Sequence, residues 1–266
     1  MDDANRRASA PAALIVAHTS DLHLGGRAAA GRELASLDAV LSAASEVGAH
    51  ALVLAGDVFD SHRAPANVVR DAARMIEAAG LAVAILPGNH DPATADAVYR
   101  RDGMAHVANL HIIGINADQC VQFPALDLTV TGVPHMAYAD MTPLGRVTSR
   151  TMRWQIVVAH GHWVTGSYDD HRAWLIRDAE IAASGADYVA LGHWDVPQPV
   201  GDGVVPAYYS GSAKLARTIN VVRFDAAGVD VRRQPLQLDR RQADHGSVAR
   251  VAGHPAFDRL GLWRGC

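Results

Sequence analysis

Leu81-Ala82-Val83-Ala84-Ile85-Leu86-Pro87-Gly88-Asn89-His90-Asp91 decides the fold of this chain. The stretch before Gly88 is an apolar run closed by Pro-Gly, which predicts a buried strand that stops and turns. An amide, an imidazole and a carboxylate follow at the strand end. In open α/β sheets that end is where ligands bind. The arrangement occurs twice more upstream. Leu14-Ile15-Val16-Ala17 runs into His18-Thr19-Ser20-Asp21-Leu22-His23, and Ala51-Leu52-Val53-Leu54-Ala55 runs into Gly56-Asp57-Val58-Phe59-Asp60.

Helices are predicted between these strands. Residues 32–47 carry Leu34, Leu37, Leu41 and Ala44 on one face, with Gly48 as the stop. A second helix starts at Pro65, which suits a first helical position, turns Val68, Val69, Ala72 and Ile76 inward and stops at Gly80. The first ninety residues therefore read strand, helix, strand, helix, strand, a parallel unit with right-handed crossovers. Further strands are predicted at 110–115 and 125–132, with a loop over 134–150. Trp154-Gln155-Ile156-Val157-Val158-Ala159 is a buried strand delivering His160-Gly161-His162-Trp163. A helix over about 171–184 turns Trp174 and Ile181 inward. Asp187-Tyr188-Val189-Ala190-Leu191 delivers Gly192-His193-Trp194-Asp195, and two strands, 219–224 and 229–236, close the chain. The expected organisation is a disordered polar N-terminus (1–10), one catalytic domain (11–239) and a polar tail (240–266).

Composition narrows the function classes. With 266 residues, 49% of them hydrophobic, the chain can bury a sizeable core. The net charge is -4 and no Lys/Arg run exceeds a pair, so there is no electrostatic footprint for nucleic acid beyond a local patch. Two cysteines, Cys120 and Cys266, read as thiols of a reducing compartment. The first apolar run, 11–17, is too short for a signal peptide or a membrane span, and a cytoplasmic protein is expected. Histidine is over-used, at 14 residues, which points towards metal or acid–base chemistry.

Five strand ends carry ligand-type side chains: Asp21/His23, Asp57, Asn89/His90, His160 and His193/Asp195. Any one of them reads equally well as a capping or turn residue; the set of five does not. Asp-x-His lets two side chains aim at one point beyond the strand. Carboxylate, imidazole and amide oxygen together suit manganese, iron or zinc rather than a cysteine-rich structural zinc. Asp57 stands alone between the flanking groups and is the natural carboxylate to bridge two metals. Two metals ~3.5–4 Å apart clamp the attacking and leaving oxygens of an in-line displacement and make hydroxide available near neutral pH.

The array resembles the calcineurin-like metallophosphoesterases. The motifs Asp21-Leu22-His23, Gly56-Asp57-Val58-Phe59-Asp60, Gly88-Asn89-His90-Asp91, the strand-end His160 and Gly192-His193-Trp194-Asp195 come in the family's order and span about 13–236. The resemblance implies a four-layer α-β-β-α sandwich of two mixed sheets. It implies two divalent metal ions, manganese favoured over iron or zinc, with Asp21, His23 and Asp57 on the first and Asp57, Asn89, His160 and His193 on the second. By the same resemblance His90 protonates the leaving oxygen and Asp91 orients it. The family ends its last motif with a histidine on the first metal; here Asp195 stands in that position, either as a carboxylate ligand or turned away.

Within the family the second half looks like the SbcD-type repair exonucleases, through Leu191-Gly192-His193, Tyr209-Ser210-Gly211-Ser212, Arg217 and Val221-Val222-Arg223-Phe224-Asp225. Against that branch, nothing corresponds to its DNA-engaging cap. Trp163, Tyr168 and Trp194 lie beside ligand motifs and either stack a base or line the core or the pocket rim. His162, which competes with His160 as a ligand, is read as a substrate residue. Arg217 either binds a phosphate oxygen or forms a surface ion pair. The expected activity is a phosphodiesterase of the nuclease-related branch. The alternatives are a small-molecule phosphoesterase and a catalytically weak metal-binding scaffold.

Overall fold

A computed structural model describes residues 12–26, 34–145, 150–165 and 172–238. The expected N-terminus and tail, residues 27–33, 146–149 and 166–171 (with Tyr168) and Cys266 lie outside the described residues.

Strand β1 (Leu14–Thr19), β2 (Ala51–Ala55), β3 (Ala82–Leu86) and β4 (Leu110–Ile112) run parallel. β13 (Thr218–Asp225) adds antiparallel to β1 and β14 (Gly228–Pro235) antiparallel to β13, giving the sheet order β14-β13-β1-β2-β3-β4. The second sheet contains β5 (Cys120–Phe123), β6 (Leu128–Gly132), β7 (Trp154–His160), β10 (Tyr188–Gly192), β11 (Gln198–Val200) and β12 (Ala207–Tyr209). Its order is β11-β12-β10-β7-β6-β5. Over the outer face of the second sheet, β8 (His162–Val164) and β9 (Leu175–Arg177) form a two-stranded parallel ribbon.

Alternation along the strands explains the layering. In β2, Ala51, Val53 and Ala55 join the core between the sheets while Leu52 and Leu54 face the helices α1 (Ala35–Glu46) and α2 (Ala66–Ala79). In β7, Ile156 and Val158 point between the sheets, and Val157 and Ala159 point to the outer face covered by Ile176 and Ile181. Strands apolar on both sides are those of sheets covered on both faces. Each fully buried Leu, such as Leu52 or Leu54, contributes about 1.5–3 kcal/mol relative to exposure. The architecture is the expected four-layer sandwich of two mixed sheets, with β2 packed on β7 and β10.

Three local expectations change. Residues 171–184 do not form one helix: Leu175–Arg177 pair with His162–Val164, and only α3 (Asp178–Ala182) is helical. Trp174, at φ 60°, sits in the left-handed region, which an α-helix cannot pass through. The strand predicted at 110–115 stops at Ile112, where the Asn116 side chain turns the chain by accepting from the Ile112 N–H and donating to the Ala105 and Leu110 carbonyls. The strand predicted at 125–132 begins only at Leu128, because Pro124–Leu126 form a 3-10 turn and Asp127, at φ 49°, is left-handed. The second helix keeps its limits: Pro65 caps α2 and Gly80 closes it.

One polar cluster interrupts the core between the sheets. His18 Nδ1 is 2.9 Å from the Tyr188 hydroxyl, and Asn220 Nδ2 donates to that hydroxyl at 3.2 Å. Arg233, on the edge strand β14, donates to the Asn220 side-chain oxygen Oδ1.

Candidate metal centre

The C-terminal ends of β1, β2, β3, β7 and β10 meet at one edge of the sandwich. Beyond β1 and β2 the parallel pairing continues into the loops: the N–H groups of Asp21, His23 and Leu24 donate to the carbonyls of Gly56, Asp57 and Val58 at 3.0, 3.1 and 2.8 Å. This fixes Asp21 and His23 beside Asp57. Three groups of ligand atoms result, each with its members within 4.8 Å of one another: Asp21/His23/Asp57, Asp57/His160/His193 and His23/Asp60/His90. Asp57 belongs to two of them, one built from the first sheet alone and one reaching across to the second.

Backbone contacts orient the ligands. His160 donates Nδ1–H to the Ala55 carbonyl (2.8 Å), which turns Nε2 to the centre. That Nε2 lies 3.3 Å from Asp57 Oδ2 and 3.0 Å from Asn89 Oδ1. The same Asn89 oxygen is 3.0 Å from His193 Nδ1. Asp21 Oδ2 accepts the His193 N–H (3.0 Å), and Asp57 Oδ1 accepts the His90 N–H (2.9 Å). Glycine is required at two of the joints. A Cβ on Gly56, at φ 90°, would stand 2.0 Å from His160 Nδ1, and one on Gly88 would stand 2.2 Å from Asp57 Oδ1.

The charges fit a cation. Burial first, then the neighbouring Asp57 charge, lift Asp21 to about 6. Against burial, the charge and hydrogen bond of His160, then His23 and the His90 N–H, hold Asp57 below the usual carboxylate range. Against burial, Asp57 and then Asp21 lift His160 to about 9. Burial and the two neighbouring imidazoles, His160 and His162, push His193 down to about 3. Two buried carboxylates in contact are costly unless positive charge sits between them. Here a proton on His160 supplies part of it, and a divalent cation would displace that proton on ligation. The donor set, carboxylates, imidazoles and one amide oxygen, fits such an ion.

The remaining predicted residues divide. His162 joins the centre, its Nε2 2.9 Å from His193 Nε2. His90 donates Nδ1–H to the Asp60 carbonyl at 3.0 Å, and its ring stands edge-on to His23. Asp91 does not orient His90 through a direct bond. It is fully buried and accepts from the Gly88 N–H (2.8 Å), the Phe59 N–H (2.9 Å) and the Tyr99 hydroxyl, tying the Asp57 and Asn89 loops together. Burial and then the Asp57 charge lift it to about 6. Asp195 is exposed and in none of the three groups. Trp163 donates Nε1–H to Asp178 (2.7 Å), and both Trp163 and Trp194 pack on the outer-face core. Arg217 donates to the Leu238 carbonyl.

Two residues join the centre without having been anticipated. His135, fully buried, donates Nε2–H to the His160 carbonyl at 3.0 Å. Trp174 packs edge-on against both His135 and His193. His135 had a readable signal, since the run Leu128-Thr129-Val130-Thr131-Gly132-Val133-Pro134 delivers it as the other strands deliver their ligands. Beside His90 lies a cavity of about 420 Å³ lined by Asp60, Ser61, His62, Arg63, Asn89 and Tyr138. Tyr138, 62% exposed, is hydrogen bonded to His62 Nδ1 at 2.9 Å.

Residues 14–197 match the calcineurin-like phosphoesterase family, and the chain belongs to it. The chain is 24% identical over 242 residues to a subunit of the nuclease SbcCD from Bacillus subtilis (strain 168), covering 74% of this chain and 61% of that relative. It thus spans less than two thirds of the relative's length. TT1561 of Thermus thermophilus shares the fold, with a TM-score of 0.53 at 14% identity over 83% of this chain and 98% of that one. Among the described residues no helix is long and apolar enough to cross a membrane.

Proposed function

We propose that the protein is a phosphodiesterase of the nuclease-related branch that works with two divalent ions, manganese favoured. The observation that carries this reading is the membership of Asp57 in two ligand groups from opposite sheets. Asp21, His23 and Asp57 hold one ion; Asp57, Asn89, His160 and His193 hold the other. When bound, the ions supply Lewis acidity to the phosphoryl oxygens and lower the pKa of water.

The chain's own groups do the rest. The Ala55 carbonyl fixes the His160 tautomer, and the His193 N–H fixes Asp21. His162, His135 and Trp174 hold the His160 and His193 rings by contact. His90 keeps Nδ1–H on the Asp60 carbonyl, so its Nε2 is the atom that carries a proton to the leaving oxygen. Asp91 holds the two loops from which Asp57 and His90 project. The cavity beside His90 receives the leaving group, with Arg63 and the Tyr138 ring on its wall.

The name of the Bacillus subtilis relative, part of a nuclease, supports a nucleic-acid diester as substrate. The net charge of -4 favours a second reading, a small-molecule phosphoester. Cys120, a free thiol, suits the reducing cytoplasm. The deciding experiment adds manganese to metal-stripped protein and sets bis(p-nitrophenyl) phosphate beside p-nitrophenyl phosphate, a cyclic nucleotide and single-stranded DNA. Preference for the diester and DNA is expected. Preference for the monoester or cyclic nucleotide moves the protein to the second reading, and no turnover with any metal overturns both.

A further inference from the structure

We propose that Tyr138, held in place by His62, is a stacking platform for one unpaired nucleobase on the nucleoside that departs with the leaving oxygen. The substrate is then a single-stranded nucleic acid or a short oligonucleotide, not a duplex. The inference rests on the phosphodiester reading above and names the substrate class of that site.

The cavity shared by His90 and Tyr138 holds about 420 Å³. Pockets for small organic ligands run from ~300 to ~1,000 Å³, so this one has room for a single nucleoside. His90 stands on its wall. In the hydrolysis, hydroxide from water adds to phosphorus, the bond to the leaving oxygen breaks, and His90 returns a proton to that oxygen. The group carried by that oxygen is therefore the one delivered to the cavity.

The Tyr138 ring is 62% exposed, yet it is fixed from the opposite sheet. It lies in the loop after β6, and His62 lies in the loop after β2. The Tyr138 hydroxyl is 2.9 Å from His62 Nδ1, with the ring centroids 6.5 Å apart. Both loops are pinned from behind. Arg101 donates to the His62 and Ala64 carbonyls at 2.8 and 3.1 Å. Trp174 donates Nε1–H to the Ala139 carbonyl at 3.1 Å and its backbone N–H to Asp140 Oδ1 at 2.7 Å. The same Trp174 ring packs on His193, which sets the platform at a fixed place relative to the metal centre. A platform ordered in advance gives up little freedom when a ligand arrives.

With its hydroxyl taken by His62, Tyr138 offers its ring face. A ring face stacks any base and discriminates little among them. Bases inside a duplex have both faces covered by their neighbours, so an unpaired base is the one that reaches the ring. Arg63 adds a guanidinium on the same wall, suited to a phosphate of the strand. One ring and one cation, in a chain of net charge -4, make a site for a nucleotide rather than the long phosphate track of a duplex.

The test measures kcat and KM with manganese for thymidylyl-thymidine and for its two analogues that each lack one base; the products show which nucleoside leaves. Wild type is expected to lose about 5–150-fold in kcat/KM when the leaving nucleoside lacks its base, the factor one stacked base confers. Loss of the other base should cost far less. In Tyr138→Ala the leaving-base penalty should vanish. Tyr138→Phe, which keeps the ring, should keep most of it, and His62→Ala should reduce it without abolishing it. A merely structural lesion would lower all three substrates alike. Equal penalties for the two bases in wild type, a penalty that persists in Tyr138→Ala, or equal cleavage of the same step in a hairpin duplex and a single strand overturns the proposal. So does a wild type that cleaves bis(p-nitrophenyl) phosphate and no dinucleotide, and in each of these cases the phosphodiester reading stands. No turnover of bis(p-nitrophenyl) phosphate or of any dinucleotide overturns both.

Discussion

Replacing His18 with glutamine should make the protein less sensitive to acid. His18 is fully buried between the sheets, bonded to the Tyr188 hydroxyl and close to Asn220. Burial first, and then the Arg233 charge, push its pKa from 6.5 down to about 3, against a backbone contact at Leu191 that raises it. The folded value lies below the unfolded one, so between about pH 3 and 6.5 the unfolded chain binds the extra proton. Stability from this residue is therefore complete above pH 6.5 and is lost as pH falls towards 3. Between pH 7.5 and pH 5 the loss from His18 alone is about 2 kcal/mol. For a domain of this size that is a fall in Tm of about 4–8 °C. The assay is denaturant and thermal unfolding of wild type and His18→Gln at both pH values, with chelator present so that metal linkage drops out. At pH 7.5 the variant should be weaker by about 1–3 kcal/mol, because the neighbouring Tyr188 and Asn220 lose their partner. On going to pH 5 it should lose about 2 kcal/mol less than wild type. Equal losses would refute the reasoning, because His18 would then take up its proton inside the fold.

Three further outcomes are expected. His90→Ala should lower kcat by about 10²–10⁴-fold while both ions stay bound, read by turnover beside metal content; equal loss of metal would make His90 a ligand instead. Gly56→Ala should displace the His160 ring, since the new Cβ falls 2.0 Å from Nδ1, and calorimetry should show one ion weakened at least tenfold; wild-type binding would show that the Ala55 carbonyl contact is dispensable. Tyr138→Ala should raise KM about tenfold or more for diesters with an aromatic leaving group and little for aliphatic ones, and an equal effect on both would remove the leaving group from the cavity beside His90.

The strands that deliver the candidate site residues were legible because both sheets are covered on both faces. Fully apolar runs such as Ala51–Ala55 then mark strands to within a residue, and the polar group that follows each run marks the site edge. Legibility failed where tertiary pairing overrides local pattern. Trp174 and Ile181 are spaced as one helical face would space them, yet the backbone turns at Trp174, and Leu175–Arg177 pair with His162–Val164. The pairing brings Trp174 onto His193, a contact no spacing rule contains. The role of Asp91 was also hidden. A carboxylate next to a catalytic imidazole invites a direct bond, whereas two backbone N–H groups and the Tyr99 hydroxyl compete for its oxygens. Tyr99 lies eight residues on, in a short 3-10 turn, without a pattern of its own.

Backbone strain gives independent support for a functional centre here. Among the described residues eight non-glycine residues have positive φ, and Asp21, His23, Asp57, His193 and Trp174 are five of them. Each costs about 1–2 kcal/mol against the right-handed alternative, and histidine and tryptophan lack the compact local hydrogen bonding that lets Asp visit this region. A turn chosen for stability alone would carry glycine or asparagine at such positions. The strain is held instead by the ladder beyond β1 and β2 and by the two cross-links, Asp21 to the His193 N–H and Asp57 to the His90 N–H. Each cross-link carries the carboxylate of one ligand to the backbone of another strand end. Loss of the Asp21 carboxylate therefore also frees the strained His193 backbone on a different strand. The side chains at that edge are placed by the fold itself, at a cost in backbone energy that fold stability does not explain.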